Sequence, residues 1–112
     1  MPITTSYNRG AVVLLPFPFS DQSAVKLRPA VVAQSIYPSE DLLVVAVTSM
    51  GDASRPGEFA IRFWREAGLI HPSFVKRALT TITDSLVRKV LGQLHTVDVT
   101  DLDRALRLWL GL

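Results

Sequence analysis

The chain has 112 residues, the length of one domain spanning residues 1–112, with 48% apolar and 20% charged residues, a composition that excludes wholesale disorder. Twelve Lys and Arg against ten Asp and Glu give a net charge of +2, which permits a nucleic-acid partner without arguing for one. With no cysteine there is no disulfide framework, no thiolate nucleophile and no Cys-ligated metal.

Ala11 to Leu15 is a run of five apolar residues after the turn signal Arg9-Gly10, and it predicts a strand buried on both faces that ends at Pro16. Pro16 to Leu27 is a long loop, of the kind that is mobile or functional. Pro29 opens a second strand over Ala30 to Ala33, since a proline at a strand's first residue costs no ladder bond. Leu42 to Val47 is the third strand and the longest apolar run, far short of a membrane span. No signal-peptide pattern precedes it, so a soluble, cytoplasmic chain is expected.

Met50 to Gly57 reads as a strand connection. Glu58 to Phe63 alternates, with Phe59, Ile61 and Phe63 on one side, and predicts a strand with one wet face. Ser73 to Arg77 is a weaker strand, and Val87 to Leu94 fits a strand or a helix. Val99, Leu102, Ala105, Leu106, Trp109 and Leu110 then follow helical spacing. Thr96 is the expected cap, Asp98 sits near the positive end of the dipole, and Gly111 is the stop. Strands followed by one helix predict a mainly β, α+β fold: a small antiparallel barrel or sandwich with an amphipathic C-terminal helix packed on it.

Several chemistries are missing from the sequence. No GxGxxG or GxxxxGK[ST] motif points to a nucleotide cofactor, and no HExxH or acid/His cluster points to a metal, so neither is expected. Lys26-Leu27-Arg28-Pro29 places two cations on one side of an extended chain at a strand's mouth. Such a guanidinium suits phosphate oxygens, and the same residues also suit a solvated strand end. Thr48-Ser49 ends the third strand in two hydroxyls, either donors to an oxyanion or an ordinary strand terminus. Phe17 and Phe19 can stack on bases or plug a barrel end. Lys76-Arg77 and Arg88-Lys89 extend a phosphate track or simply a wet surface.

Taken in order, these segments resemble a known family. Arg9-Gly10-Ala11-Val12-Val13, Pro16-Phe17-Pro18-Phe19-Ser20-Asp21 and Lys26-Leu27-Arg28-Pro29-Ala30-Val31-Val32 look like the start of a PemK/MazF-type toxin. Val47-Thr48-Ser49, Ala67-Gly68-Leu69, Pro72-Ser73-Phe74-Val75-Lys76, the stretch Leu86 to Leu94 and the terminal helix continue the likeness over nearly the whole chain. The resemblance implies the toxin of a type II toxin–antitoxin pair. It implies a homodimer with an SH3-like barrel that cuts single-stranded RNA without metal, leaves 2′,3′-cyclic phosphate and 5′-hydroxyl ends, and is blocked by a cognate antitoxin.

The family's active-site arginine and hydroxyl map onto Arg28 and Thr48, the expected catalytic pair. Lys26, Ser49, Phe19, Ser20, Lys76 and Arg77 are the expected RNA contacts. The chain departs from the family pattern in three places. Arg-Gly-Asp becomes Arg9-Gly10-Ala11, the Arg-x-Asp of some members becomes Lys76-Arg77-Ala78, and the loop histidine of some members is absent. The resemblance therefore assigns no general acid or base. Two alternatives share the fold: a toxin that poisons DNA gyrase through its terminal helix, and a non-catalytic member that only binds antitoxin or RNA.

Overall fold

The computed structural model describes residues 7–16, 26–35 and 40–112. Among these residues the strands are β1 (Ala11–Pro16), β2 (Leu27–Ser35), β3 (Asp41–Thr48), β4 (Phe59–Ala60), β5 (Phe74–Thr83) and β6 (Lys89–Gln93), with a 3-10 turn at Asp84–Leu86 and one helix, α1 (Thr96–Leu110). They form one antiparallel sheet in the order β4-β5-β3-β2-β1-β6. The sheet curls into a half-barrel and carries α1, an α+β fold as expected.

The central strands are apolar throughout because both of their faces are covered. Val12, Val31, Val45, Val47 and Val75 meet Leu102 of α1 on one face, with Ile61, Ala67 and Leu69 beside them. Val13, Leu15, Ala30, Val32, Val44 and Ala46 form a second buried cluster on the other face. Each buried Val or Leu contributes roughly 1.5–3 kcal/mol relative to exposure, so the sheet is held from two sides.

β2 begins at Leu27, which puts Pro29 inside the strand rather than at its start. The chain tolerates this because of ladder alternation. The Val32 carbonyl accepts from Gly10 N–H, so the even-numbered residues of β2 turn their backbone groups toward β1. Pro29 then turns its missing donor toward β3, where the ladder has already ended at Ala30↔Ala46. β1 likewise runs through Pro16, which pairs with Leu27.

The strand expected over Glu58 to Phe63 is only Phe59–Ala60. Past it, Ile61 N–H still reaches the Ser73 carbonyl, but Arg62 and Phe63 donate their N–H groups to the Asp98 carboxylate at 2.9 and 3.0 Å. Those two bonds turn the chain off the sheet and into the 62–68 turns. The ambiguous 87–94 stretch is the strand β6, and β5 runs on to Thr83.

The helix is capped by His95 rather than Thr96: its Nδ1 accepts from Val97 N–H at 3.0 Å, and its ring stacks on Phe63 at 4.0 Å. Gly111 ends the helix in the left-handed conformation, as expected. Leu102 and Ala105 are buried, while Leu110, expected on the apolar face, is 54% exposed. Among the described residues, no helix is long and apolar enough to cross a membrane.

Candidate active site

The Ala30↔Ala46 pair is the last on the β2–β3 ladder. Extended by two residues, the same register sets Arg28 level with Thr48 on the face away from α1. This is a non-hydrogen-bonded position, where facing side chains stand closest in an antiparallel pair. Arg28 and Thr48 are both half-buried. The Thr48 hydroxyl oxygen accepts from Met50 N–H at 3.0 Å, and its O–H is only loosely directed at the Met50 carbonyl, 3.4 Å away. The hydroxyl is thus oriented by one good bond, and its proton goes to a second, longer one.

β5 supplies the third side. Thr48 pairs with Phe74, and Val75, paired with Val47, points into the core under α1. Alternation therefore returns Lys76 to the Thr48 face. Between Val45↔Leu79 and Val47↔Val75 the β5 strand bulges, so that Lys76, Arg77 and Ala78 lie against Ala46 alone.

Glu58, one step beyond the Phe59↔Val75 pair, stands opposite Lys76. Its carboxylate accepts from Lys76 Nζ at 2.8 Å, from Arg55 N–H at 3.1 Å and from Arg77 N–H at 3.0 Å. Lys76 Nζ also donates to the Asp52 carbonyl at 2.7 Å. Only 1% of the Glu58 side chain is exposed. Burial alone pushes this carboxyl up; the Lys76 hydrogen bond, the two backbone donors and the lysine charge outweigh it and hold the carboxyl below its usual range.

Arg28, Thr48 and Lys76 therefore share one end of one face. Lys26 is exposed just before β2, Ser49 is exposed just after β3, and Arg77 is exposed in the bulge. Phe19 and Ser20 lie outside the described residues. The ammonium of Lys76, expected on a flanking phosphate, is bonded to Glu58 and Asp52.

Neither Glu58 nor Asp98 is among the expected site residues. The one signal for Glu58 is its place after the Pro56-Gly57 turn; nothing local marks its partner eighteen residues on. Two open grooves of about 440 and 400 Å³ flank α1, and neither includes Arg28 or Thr48. Among the described residues, no three His, Asp or Glu side chains gather as metal ligands.

A family model for the PemK-like, MazF-like toxin of type II toxin–antitoxin systems matches residues 8–110. Two solved structures share the fold. One is an endoribonuclease from Mycobacterial species, with a TM-score of 0.77, 16% identity, and coverage of 99% of this chain and 97% of that one. The other is an endoribonuclease in complex with its cognate antitoxin from Mycobacterial species, with a TM-score of 0.69, 17% identity, and coverage of 93% and 94%. No curated protein matches the sequence. The family match spans nearly the whole chain, and this protein belongs to the PemK-like, MazF-like toxins of type II toxin–antitoxin systems.

Proposed function

We propose that this protein is a metal-independent, sequence-selective endoribonuclease acting on single-stranded RNA such as mRNA. The observation that carries the reading is the common level of Arg28 and Thr48 at the open end of β2 and β3. A rigid guanidinium fork and an oriented alcohol suit a phosphodiester, and the likeness in fold to two endoribonucleases supports the same class of reaction.

In the proposed step the neighbouring 2′-oxygen bonds to phosphorus as the bond to the 5′-oxygen breaks. One proton leaves the 2′-hydroxyl and one reaches the departing 5′-oxygen, giving 2′,3′-cyclic phosphate and 5′-hydroxyl ends. Arg28 holds the non-bridging oxygens as their charge grows, and the Thr48 O–H donates to the same group. Lys26 and Ser49, exposed at either side of the pair, hold the scissile phosphate, and Arg77 takes a flanking one.

The partners follow from the same reading. A cognate antitoxin, acidic and disordered when free, covers the cationic end of the sheet. A second copy of the chain pairs through apolar surface. Trp109 donates to the Pro56 carbonyl and packs on the core, which leaves Leu108, Leu110 and Leu112 as the exposed apolar residues at the helix end. The proposed place of action is the cytoplasm, where mRNA is found.

The test is incubation of the purified protein with a defined single-stranded RNA in excess EDTA. Cleavage to cyclic-phosphate ends that Arg28→Ala abolishes supports the reading. Intact RNA with inhibited DNA gyrase selects the gyrase-poisoning alternative, and neither effect selects the binding-only one.

A further inference from the structure

The connection from Ser49 to Gly57 begins at the residue after Thr48, and its middle is bonded to the Glu58–Lys76 pair. Asp52 is held through its carbonyl by Lys76, and Arg55 through its N–H by Glu58. The Glu58 carboxylate joins these two anchors to each other and to the β5 bulge, through Lys76 Nζ and Arg77 N–H. At the far end Trp109 donates to the Pro56 carbonyl at 2.8 Å, so the connection is also pinned to α1. Removing the carboxylate releases the Arg55 N–H and takes from Lys76 the partner that orients it toward the Asp52 carbonyl, while the two ends stay tied at Met50 and Pro56.

Resting on the endoribonuclease reading, we propose that Glu58 is a positioning residue for RNA cleavage, clasping the 49–57 connection to the β5 bulge so that Thr48 keeps its alignment with Arg28. The clasp also assigns Lys76. An ammonium that satisfies a buried carboxylate and a carbonyl is engaged in holding structure, and its charge is offset within the protein. The cationic surface offered to RNA at this end is then Lys26, Arg28 and Arg77. A lysine that instead grips phosphate makes an opposite set of predictions, which gives the experiment its discriminating power.

The experiment measures kcat, KM and salt dependence of cleavage of a defined single-stranded RNA by wild type, Glu58→Gln, Lys76→Met and the double variant. Thermal unfolding and near-UV circular dichroism establish that each is folded. A clasp acts on alignment, so each single variant lowers kcat about tenfold, with KM within about twofold of wild type. Because the two residues form one unit, the double variant is no slower than the slower single. Lys76→Met removes the ammonium that ties Asp52 to Glu58, leaves both amide bonds to Glu58 in place, and carries the test by itself if Glu58→Gln does not fold, wild-type kcat in it then overturning the proposal. Wild-type kcat in a folded Glu58→Gln overturns the proposal. So does a Lys76→Met that raises KM and flattens the salt dependence with kcat unchanged, since that assigns Lys76 to phosphate. Wild-type protein that leaves the RNA intact overturns the endoribonuclease reading together with this one, whereas an active wild type with an indifferent Glu58 overturns this one alone.

Discussion

Asp98, in the first turn of α1, is fully buried, and its Oδ2 accepts from the backbone N–H of Phe63 at 3.0 Å while Oδ1 takes Arg62 N–H at 2.9 Å. One side chain thus supplies the hydrogen bonds that two non-sheet amides lack, and fixes the helix against the turns that follow β4. Asp98→Ala leaves both part-buried donors without their acceptor. At roughly 1–2 kcal/mol for each part-buried unsatisfied group, the lower part of the usual range, the loss is about 2–4 kcal/mol. Asp98→Asn recovers little, because its amide nitrogen faces one of the same donors. Urea unfolding of the two variants checks this; an Asn variant as stable as wild type would show that the paired N–H acceptance is not what holds the turn.

Thr48 is the position where hydroxyl and shape are separable. Thr48→Val keeps the branched side chain but deletes both the acceptor for Met50 N–H and the O–H proposed to donate to substrate. Thr48→Ser keeps the hydroxyl. The expected result is a loss of about 10²–10³ in turnover for the valine variant, the usual cost of one oxyanion donor, and a much smaller loss for serine. Single-turnover cleavage at saturating enzyme isolates the chemical step, and equal rates for the two variants would remove Thr48 from it.

The legible parts of the fold are those whose cause is local. The runs at Ala11, Ala30 and Leu42 are apolar on consecutive residues because each is covered on both faces, so composition alone reveals them. Arg28 and Thr48 stand out as the polar residues just before the second run and just after the third. The 58–63 segment alternates like a strand, yet the Asp98 carboxylate, thirty-five residues downstream of Phe63, takes its backbone donors. No feature of the segment itself carries that information. The Glu58–Lys76 clasp is hidden for the same reason: it depends on β4 meeting β5, which pairing decides and periodicity does not.

The clasp has a pH signature. Glu58 titrates below the usual carboxylate range in the folded protein, because the Lys76, Arg77 and Arg55 donors outweigh the effect of burial. A depressed folded-state pKa contributes stability that is present above the unfolded glutamate value of about 4.3 and lost as pH falls through the lower folded value. The stability gap between wild type and Glu58→Gln is therefore widest near neutrality and narrows as pH drops from about 6 to about 3. Urea midpoints across that range measure it. A gap that stays constant with pH would mean that the charge on Glu58 contributes nothing to the folded state.

Two glycines separate backbone strain from steric exclusion. Gly51 has φ +82 with open space around it, and Gly68 has φ +86 with a would-be Cβ 2.0 Å from the Leu91 carbonyl oxygen. Both conformations disfavour a side chain by about 1–2 kcal/mol. Only at Gly68 does the added methyl meet backbone, where the 62–68 turns lie against β6, and that carbonyl cannot swing away without breaking the strand's packing. Gly51→Ala should therefore lower the melting temperature by about 4–8 °C, using about 4 °C per kcal/mol for a domain of this size. Gly68→Ala should lower it at least twice as far or prevent folding, and co-expression yield together with differential scanning calorimetry distinguishes those outcomes. Equal melting temperatures for the two variants would show that the turns do not press on β6, and that the edge of the half-barrel is open there.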